Sequence, residues 1–205
     1  MVIPTFFYSY LINMTLHTTS FFRLGLVGLL AGASVLAQAE TKLVSAQSDI
    51  SFTVKQMGVP LEGRFRKFDA QMSFDVSKPE TSKIAFTVDM GSATMGSAET
   101  DGELPKAPWF NTPKFPQATF QSSTVKALGA GKFEVNGKLS IKGNVRDVVV
   151  PVTLIASGAT TTAQGVFAIK RLAFKVGEGD WADTSMVADE VQVKFKLALS
   201  GVGKF

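Results

Sequence analysis

From residue 50 onward, apolar and polar positions alternate with a period of two. Ile50, Phe52 and Val54 are interleaved with Ser51, Thr53 and Lys55. The same spacing recurs at Phe68–Phe74, Ile84–Met90, Phe133–Ile141, Val148–Leu154 and Val191–Leu199. In an extended chain successive side chains point to opposite faces, so each run predicts a strand with one dry side and one wet side. Shorter runs at 118–125 and 165–174 bring the expected number to about eight. Ser77-Lys78-Pro79, Gly129-Ala130-Gly131 and Asn136-Gly137 read as turns between them. No long amphipathic helical segment appears. The expected class is therefore antiparallel all-β, a barrel or a sandwich.

The first 39 residues have a different texture. They carry no acid and a single base, Arg23, before the apolar run Leu24–Leu36 and the tripeptide Ala37-Gln38-Ala39. That arrangement predicts a secretory signal cleaved after Ala39, with Met14 an alternative start. An uncleaved anchor would need about 20 apolar residues, and glycines dilute this shorter run. The expected organisation is a leader over 1–39 and one exported domain over 40–205, in the periplasm.

Composition removes several chemistries. The chain has no cysteine, and its one histidine, His17, lies in the leader. The exported domain then has no thiol or imidazole for a nucleophilic triad or a zinc site. A formal charge of +4 is too small and too dispersed for nucleic-acid binding. Gly129-Ala130-Gly131-Lys132 is followed by Phe133, so it lacks the hydroxyl of a phosphate loop. Acids at Glu178, Asp180, Asp183, Asp189 and Glu190 have neither glycosidase nor EF-hand spacing and read as solvated loop charges. Arg64, Arg66 and Lys67 form a small basic cluster, a solvated face or a greeting for anionic headgroups.

Aromatic usage adds a positive clue. Both tyrosines lie in the leader, while 13 of the 17 phenylalanines and both tryptophans follow it. Phenylalanines at alternating positions either fill a core or line an oily cavity, and small barrels do both. Residues 99–117 break the alternation with four prolines and with Trp109, Phe110 and Phe115. This stretch reads as a long connection with one helical turn, either a lid over one end or a loop stapled to the core. If a cavity exists, apolar parity places Phe52, Val54, Phe86, Val88, Phe120, Val135, Leu139, Ile141 and Phe167 on its wall.

An ordered set of short motifs carries a resemblance. It comprises Ser48-x-Ile50-x-Phe52-x-Val54, Gly63-x-Phe65-x-x-Phe68, Phe74-Asp75, Asp101-x-x-Leu104 and Phe110. Phe115-Pro116-x-Ala118-x-Phe120-x-Ser122, Gly137-x-Leu139-x-Ile141-x-Gly143, Trp181 and Val187–Val191 complete it. Together they resemble the YceI-like family, periplasmic proteins of lipocalin-like fold, over nearly all of 41–200. The resemblance implies an extended eight-stranded antiparallel barrel with a Pro/aromatic-rich loop or short helix at one end. It also implies a polyprenyl or quinone-like lipid inside; Phe65 and Phe68 from its motifs, with Trp109 and Phe110 from the lid-like connection, join the candidate ligand-contacting residues. Where such sequences often carry histidines, this chain has Gln47, Gln56, Glu103 and Lys142. Roles drawn from imidazole are thereby removed, whereas apolar binding is untouched.

The leading expectation is a non-enzymatic carrier for an isoprenoid lipid, with no metal or other cofactor. It would touch membranes transiently and act as a monomer or homodimer. An outer-membrane barrel shares the leader, the alternation and a terminal Phe205, but such barrels favour tyrosine and tryptophan girdles. A lipid-directed enzyme would have to work with Asp, Glu, Ser or Lys alone. A solid barrel serving as an interaction module is the remaining alternative.

Overall fold

The structure, a computed structural model, describes residues 41–205; the expected leader lies outside them. The elements in order are β1 (Lys42–Leu43), β2 (Asp49–Gln56), β3 (Val59–Phe65), β4 (Phe68–Ser73), β5 (Lys83–Asp89), β6 (Ala93–Thr94) and α1 (Ala98–Glu103). The long strands β7 (Gln117–Gly129), β8 (Lys132–Ile141), β9 (Asn144–Ser157), β10 (Thr160–Lys170) and β11 (Val187–Ser200) follow. All pairings are antiparallel and join one sheet of 11 strands in the order β4-β5-β7-β8-β9-β10-β11-β2-β3-β6, with β1 on β11. The sheet curls around its apolar face.

The count corrects the expected eight strands. Two additions, β1 and β6, are two-residue bridges. The third, β3, reads Val-Pro-Leu-Glu-Gly-Arg-Phe, where Pro60 and Gly63 interrupt the alternation that marks the other strands. It forms because β2 presents a complete partner, running from Ile50 opposite Phe65 to Gln56 opposite Val59. Pro60 is tolerated near the strand's start, beyond the β6 pairing. The run expected over 165–174 also shifts. β10 spans 160–170, and Arg171–Phe174 is a 3-10 turn.

The strands carry one dry face, as the alternation requires. Ile50, Val125, Phe133, Val135, Val150, Leu154, Phe195, Leu197 and Leu199 form its fully buried part, largely toward the end bearing the 129–131 and 157–160 turns. The outer face is polar over much of the sheet: Gln192, Lys194 and Lys196 on β11, and Asp69, Gln71 and Ser73 on β4, are exposed.

Two strand glycines let aromatic rings lie flat across the ladder. Gly63 is opposite Phe52 and Gly165 is opposite Phe195. A Cβ on Gly63 would come within 2.3 Å of the Phe52 ring, and one on Gly165 within 2.1 Å of the Pro151 carbonyl oxygen. The glycines keep the rings against the wall and leave the middle of the sheet hollow. A ring can turn aside but a strand carbonyl cannot. Gly165→Ala is therefore expected to destabilise the domain by about 1–3 kcal/mol in urea denaturation. A change below about 0.5 kcal/mol would show that β9 and β10 are free to separate there.

Candidate functional site: an apolar cavity open at one end

The curled sheet encloses a cavity of about 840 Å³. Its wall takes Phe52 and Val54 from β2, Phe65 from β3, Phe86 and Val88 from β5, and Phe120 from β7. Val135, Leu139 and Ile141 of β8 and Phe167 of β10 complete the parity set, and Trp109 and Phe110 reach in from the connection. Phe86 and Phe120 face each other across the β5–β7 ladder. Phe65 stacks at tilted angles on Phe52 and Phe110, with ring centroids 5.3 and 6.2 Å apart. Phe68 is the correction. It packs against the buried cluster from β4, the strand at one end of the sheet order, and does not border the hollow. Phe74, Phe133, Phe195, Leu197 and Leu104 also line the cavity. All but Leu104 belong to the alternating runs and could have been chosen by the same parity.

Exposure locates the opening. Among the lining residues only Pro60, Glu62, Ser97, Glu99 and Glu103 are exposed. They belong to β3 and to α1 with its lead-in, so the mouth lies between that strand and the helix. α1 is tied down through Asp101, which accepts from the Thr94 hydroxyl and from the Met95 N–H, both at 2.6 Å. The Thr94 hydrogen bond, followed by that from Met95, holds the Asp101 carboxyl below its ordinary value. A depressed acid supports the fold above its unfolded pKa, and that support is lost as pH falls through the folded value. The anchoring of α1 is thus a neutral-pH feature.

The connection between α1 and β7 covers the same end of the sheet; one cation fastens it directly, and a second organises the 171–188 segment that packs against it. Lys142, in the β8–β9 turn, sends its buried Nζ to the carbonyls of Ala107 and Lys175, both at 2.7 Å, and to Glu178 Oε2 at 2.8 Å. The backbone N–H groups of Gly177 and Glu178 donate to the Pro108 carbonyl. The loop is therefore stapled as well as lid-like, and both readings of residues 99–117 describe part of it. The hydrogen bond from Lys142 also lowers the Glu178 pKa.

The second cation is Arg171, only 2% exposed. Its Nε donates to Ala188 O; Nη1 donates to Val176 O and Gly177 O; Nη2 donates to Trp181 O and Val187 O. All five N–H groups are used at 2.7–3.0 Å, each on a backbone carbonyl. Burial pushes the guanidinium pKa down, and Asp189 opposes that effect. This hub gathers the 171–188 segment beneath Trp181, whose ring lies 5.3 Å from that of Trp109. Sequence patterns missed Arg171, because backbone acceptors leave no side-chain signature.

The four positions at which histidine was expected have separate fates. Gln56 and Glu103 line the cavity, Lys142 is the staple, and Gln47 is exposed in a 3-10 turn before β2. Among the described residues, no three His, Cys, Asp or Glu side chains gather as metal ligands. The loop acids have structural tasks: Asp183 accepts from Ser185, Asp189 accepts from the Leu172 N–H, and Glu190 pairs with Lys170 at 3.5 Å. Of the basic cluster, Arg66 donates to Thr94 Oγ1 at 3.3 Å.

The described residues thus form an all-β sheet around a mostly apolar cavity. The YceI-like domain model matches residues 42–199, and the chain belongs to that family. The UPF0312 protein Shew185_3055 of Shewanella baltica is 31% identical over 195 residues, covering 87% of this chain and 98% of its own. The YceI protein of Escherichia coli O157:H7 is 32% identical over 129 residues, 62% of this chain and 67% of that one. Among solved structures, Burkholderia cenocepacia BcnA superposes with a TM-score of 0.74 at 46% identity, over 77% of this chain and 99% of that one. A polyisoprenoid binding domain from Saccharophagus degradans shares the fold at a TM-score of 0.62 and 16% identity, over 79% and 98%.

Proposed function

We propose that this protein is a non-enzymatic periplasmic carrier holding an isoprenoid lipid, of polyprenyl or quinone type, in the cavity of a lipocalin-like barrel. The apolar hollow with its polar mouth is the observation that carries the reading. Polyisoprenoid binding by the structural neighbour from Saccharophagus degradans supports it. At about 30 Å³ per water-sized group, the volume admits roughly 28 chain carbons, about five or six isoprene units. Burial is worth about 0.8 kcal/mol per methylene, so such a chain needs few polar contacts.

The inward direction of the dry face argues against the outer-membrane barrel. A lipid-spanning barrel is apolar outside and polar inside. Here lysines point out from β11 and phenylalanines point in.

The mouth bears on the polar end of the ligand. Its exposed charged residues are Glu62, Glu99 and Glu103, and Arg171, the one cation on the wall among the described residues, has all five N–H groups engaged. An anionic head would meet carboxylates and, among the described residues, find no unspent donor cation on the cavity wall. A polyprenyl alcohol or quinone is expected to bind at least about tenfold more tightly than the corresponding monophosphate, measured by displacement of a fluorescent lipid. Equal affinities would mean that the head lies outside the reach of the mouth. The carrier reading itself is tested by native mass spectrometry of protein purified from its own cells. A bound species of isoprenoid mass is expected, and a uniformly empty chain that takes up no polyprenol afterwards would refute it.

A further inference from the structure

The mouth adjoins the tip of the β2–β3 hairpin, where the chain exposes apolar side chains that no element covers. Met57 is 66% exposed and Val59 60%, and Met186, from the segment entering β11, is 41% exposed. The Met57 N–H donates to the Met186 carbonyl at 2.9 Å, which brings the two segments to one point. Met57 and Gly58 both have positive φ, 48° and 81°. This two-residue turn thus has the left-handed geometry that suits a tight hairpin and holds the tip in a projecting shape. Single exposed apolar residues are ordinary. Three at one point, followed along β3 by Pro60 and Leu61 of the cavity wall, are a continuous apolar path from the outside into the hollow.

We infer that this tip is a docking point for a lipid bilayer, with Met57, Val59 and Met186 entering the interfacial region. The idea rests on the carrier reading for its purpose. An isoprenoid chain leaving a bilayer would otherwise cross water before reaching the mouth, whereas an inserted tip places the path of Pro60 and Leu61 against the acyl chains. The bilayer is favoured over a protein partner by this continuity, because the surface that docks is the outer end of the surface that binds. Charge sets the mode. Glu62, Glu99 and Glu103 border the mouth and Asp183 lies three residues before Met186, while Lys55 and Lys106 supply nearby positive charge. That balance gives no net pull toward anionic lipid, so insertion is apolar and insensitive to salt. Arg64, Arg66 and Lys67, the basic cluster, lie at and beyond the other end of β3 and take no part.

The test is flotation of the purified protein with phosphatidylcholine vesicles, comparing wild type with the combined Met57→Ser, Val59→Thr and Met186→Ser variant. These side chains are exposed, so the variant should melt with the wild type, and bound cargo is followed in parallel by native mass spectrometry. We expect the wild type to float equally well when salt is raised about tenfold, and the variant to partition at least about tenfold less with its cargo retained. Equal flotation of the two proteins would overturn the inference. So would wild-type binding only to anionic vesicles, or a dimer in sedimentation that the variant loses while no vesicles are bound. An empty cavity in both proteins with tip-dependent flotation intact would refute the carrier and leave the docking point standing.

Discussion

Arg171→Met is expected to cost the domain about 3–5 kcal/mol, the largest loss for any polar substitution in it. The methionine replaces most of the volume but none of the five donors. The carbonyls of Val176, Gly177, Trp181, Val187 and Ala188 then lose a shared partner in a place where water enters poorly. Each orphaned acceptor costs about 1–3 kcal/mol if it stays buried, so the segment will instead swing outward until water reaches it. That movement takes Trp181 away from Trp109 and opens the loop-covered end of the cavity. Two readouts should therefore move together: the urea midpoint falls, and bound lipid is lost faster. Arg171→Lys keeps the charge but offers three donors from a flexible stem, and should recover only part of the loss. If Arg171→Met costs less than about 1 kcal/mol, the hub is solvated and the packing around it is not what holds the end closed.

The residues that dictate this hub were the least legible. The alternation of Ile50, Phe52 and Val54 shows a strand because burial on one face is written in every second residue. Phe86, Phe120, Leu139 and Phe167 could be placed on the inner wall from that parity alone, and the structure has them there. Phe68, which came from the resemblance and not from the parity set, packs against the buried cluster and is not on the wall, although Met72 of the same strand is. β3 was hidden because Pro60, Glu62 and Gly63 follow local demands: a strand start beyond the β6 bridge, a cavity mouth, and a ring lying across the backbone. Arg171 and Lys142 donate mainly to carbonyls, which every residue possesses, so only the folded chain reveals their partners. Whether the phenylalanines filled a core or lined a cavity was open for a different reason. The choice depends on how far the sheet curls, and that follows from glycines and register more than from hydrophobicity.

That choice can be settled energetically by comparing two phenylalanines. Phe174 also lines the cavity, but at 2% exposure it is the largest fully buried side chain among the described residues. Phe86 is only half-buried and borders the hollow, opposite Phe120 on one side and Ala70 on the other. Truncating a close-packed phenylalanine to alanine costs about 3–5 kcal/mol, because the transfer term is joined by a cavity that neighbours cannot fill. Phe174→Ala should show this full loss. Phe86→Ala enlarges a space that already exists, so in lipid-free protein it should cost no more than about 1.5 kcal/mol, the reduced transfer term of a ring that was never fully dry. Phe86→Asp goes further by placing a carboxylate against the ligand's chain. The free protein can hydrate that group through the open mouth, but an apolar chain cannot, and the desolvation cost falls on the complex. Lipid affinity is then expected to drop by about 100-fold or more while the urea midpoint moves little by comparison. The experiment is urea denaturation of stripped protein beside displacement of a fluorescent polyprenol, for wild type and the three variants. Equal destabilisation by Phe86→Ala and Phe174→Ala would mean that the sheet closes to a solid core in solution. Unchanged affinity in Phe86→Asp would mean that the lipid binds elsewhere, and the cavity would lose its claim to be the site.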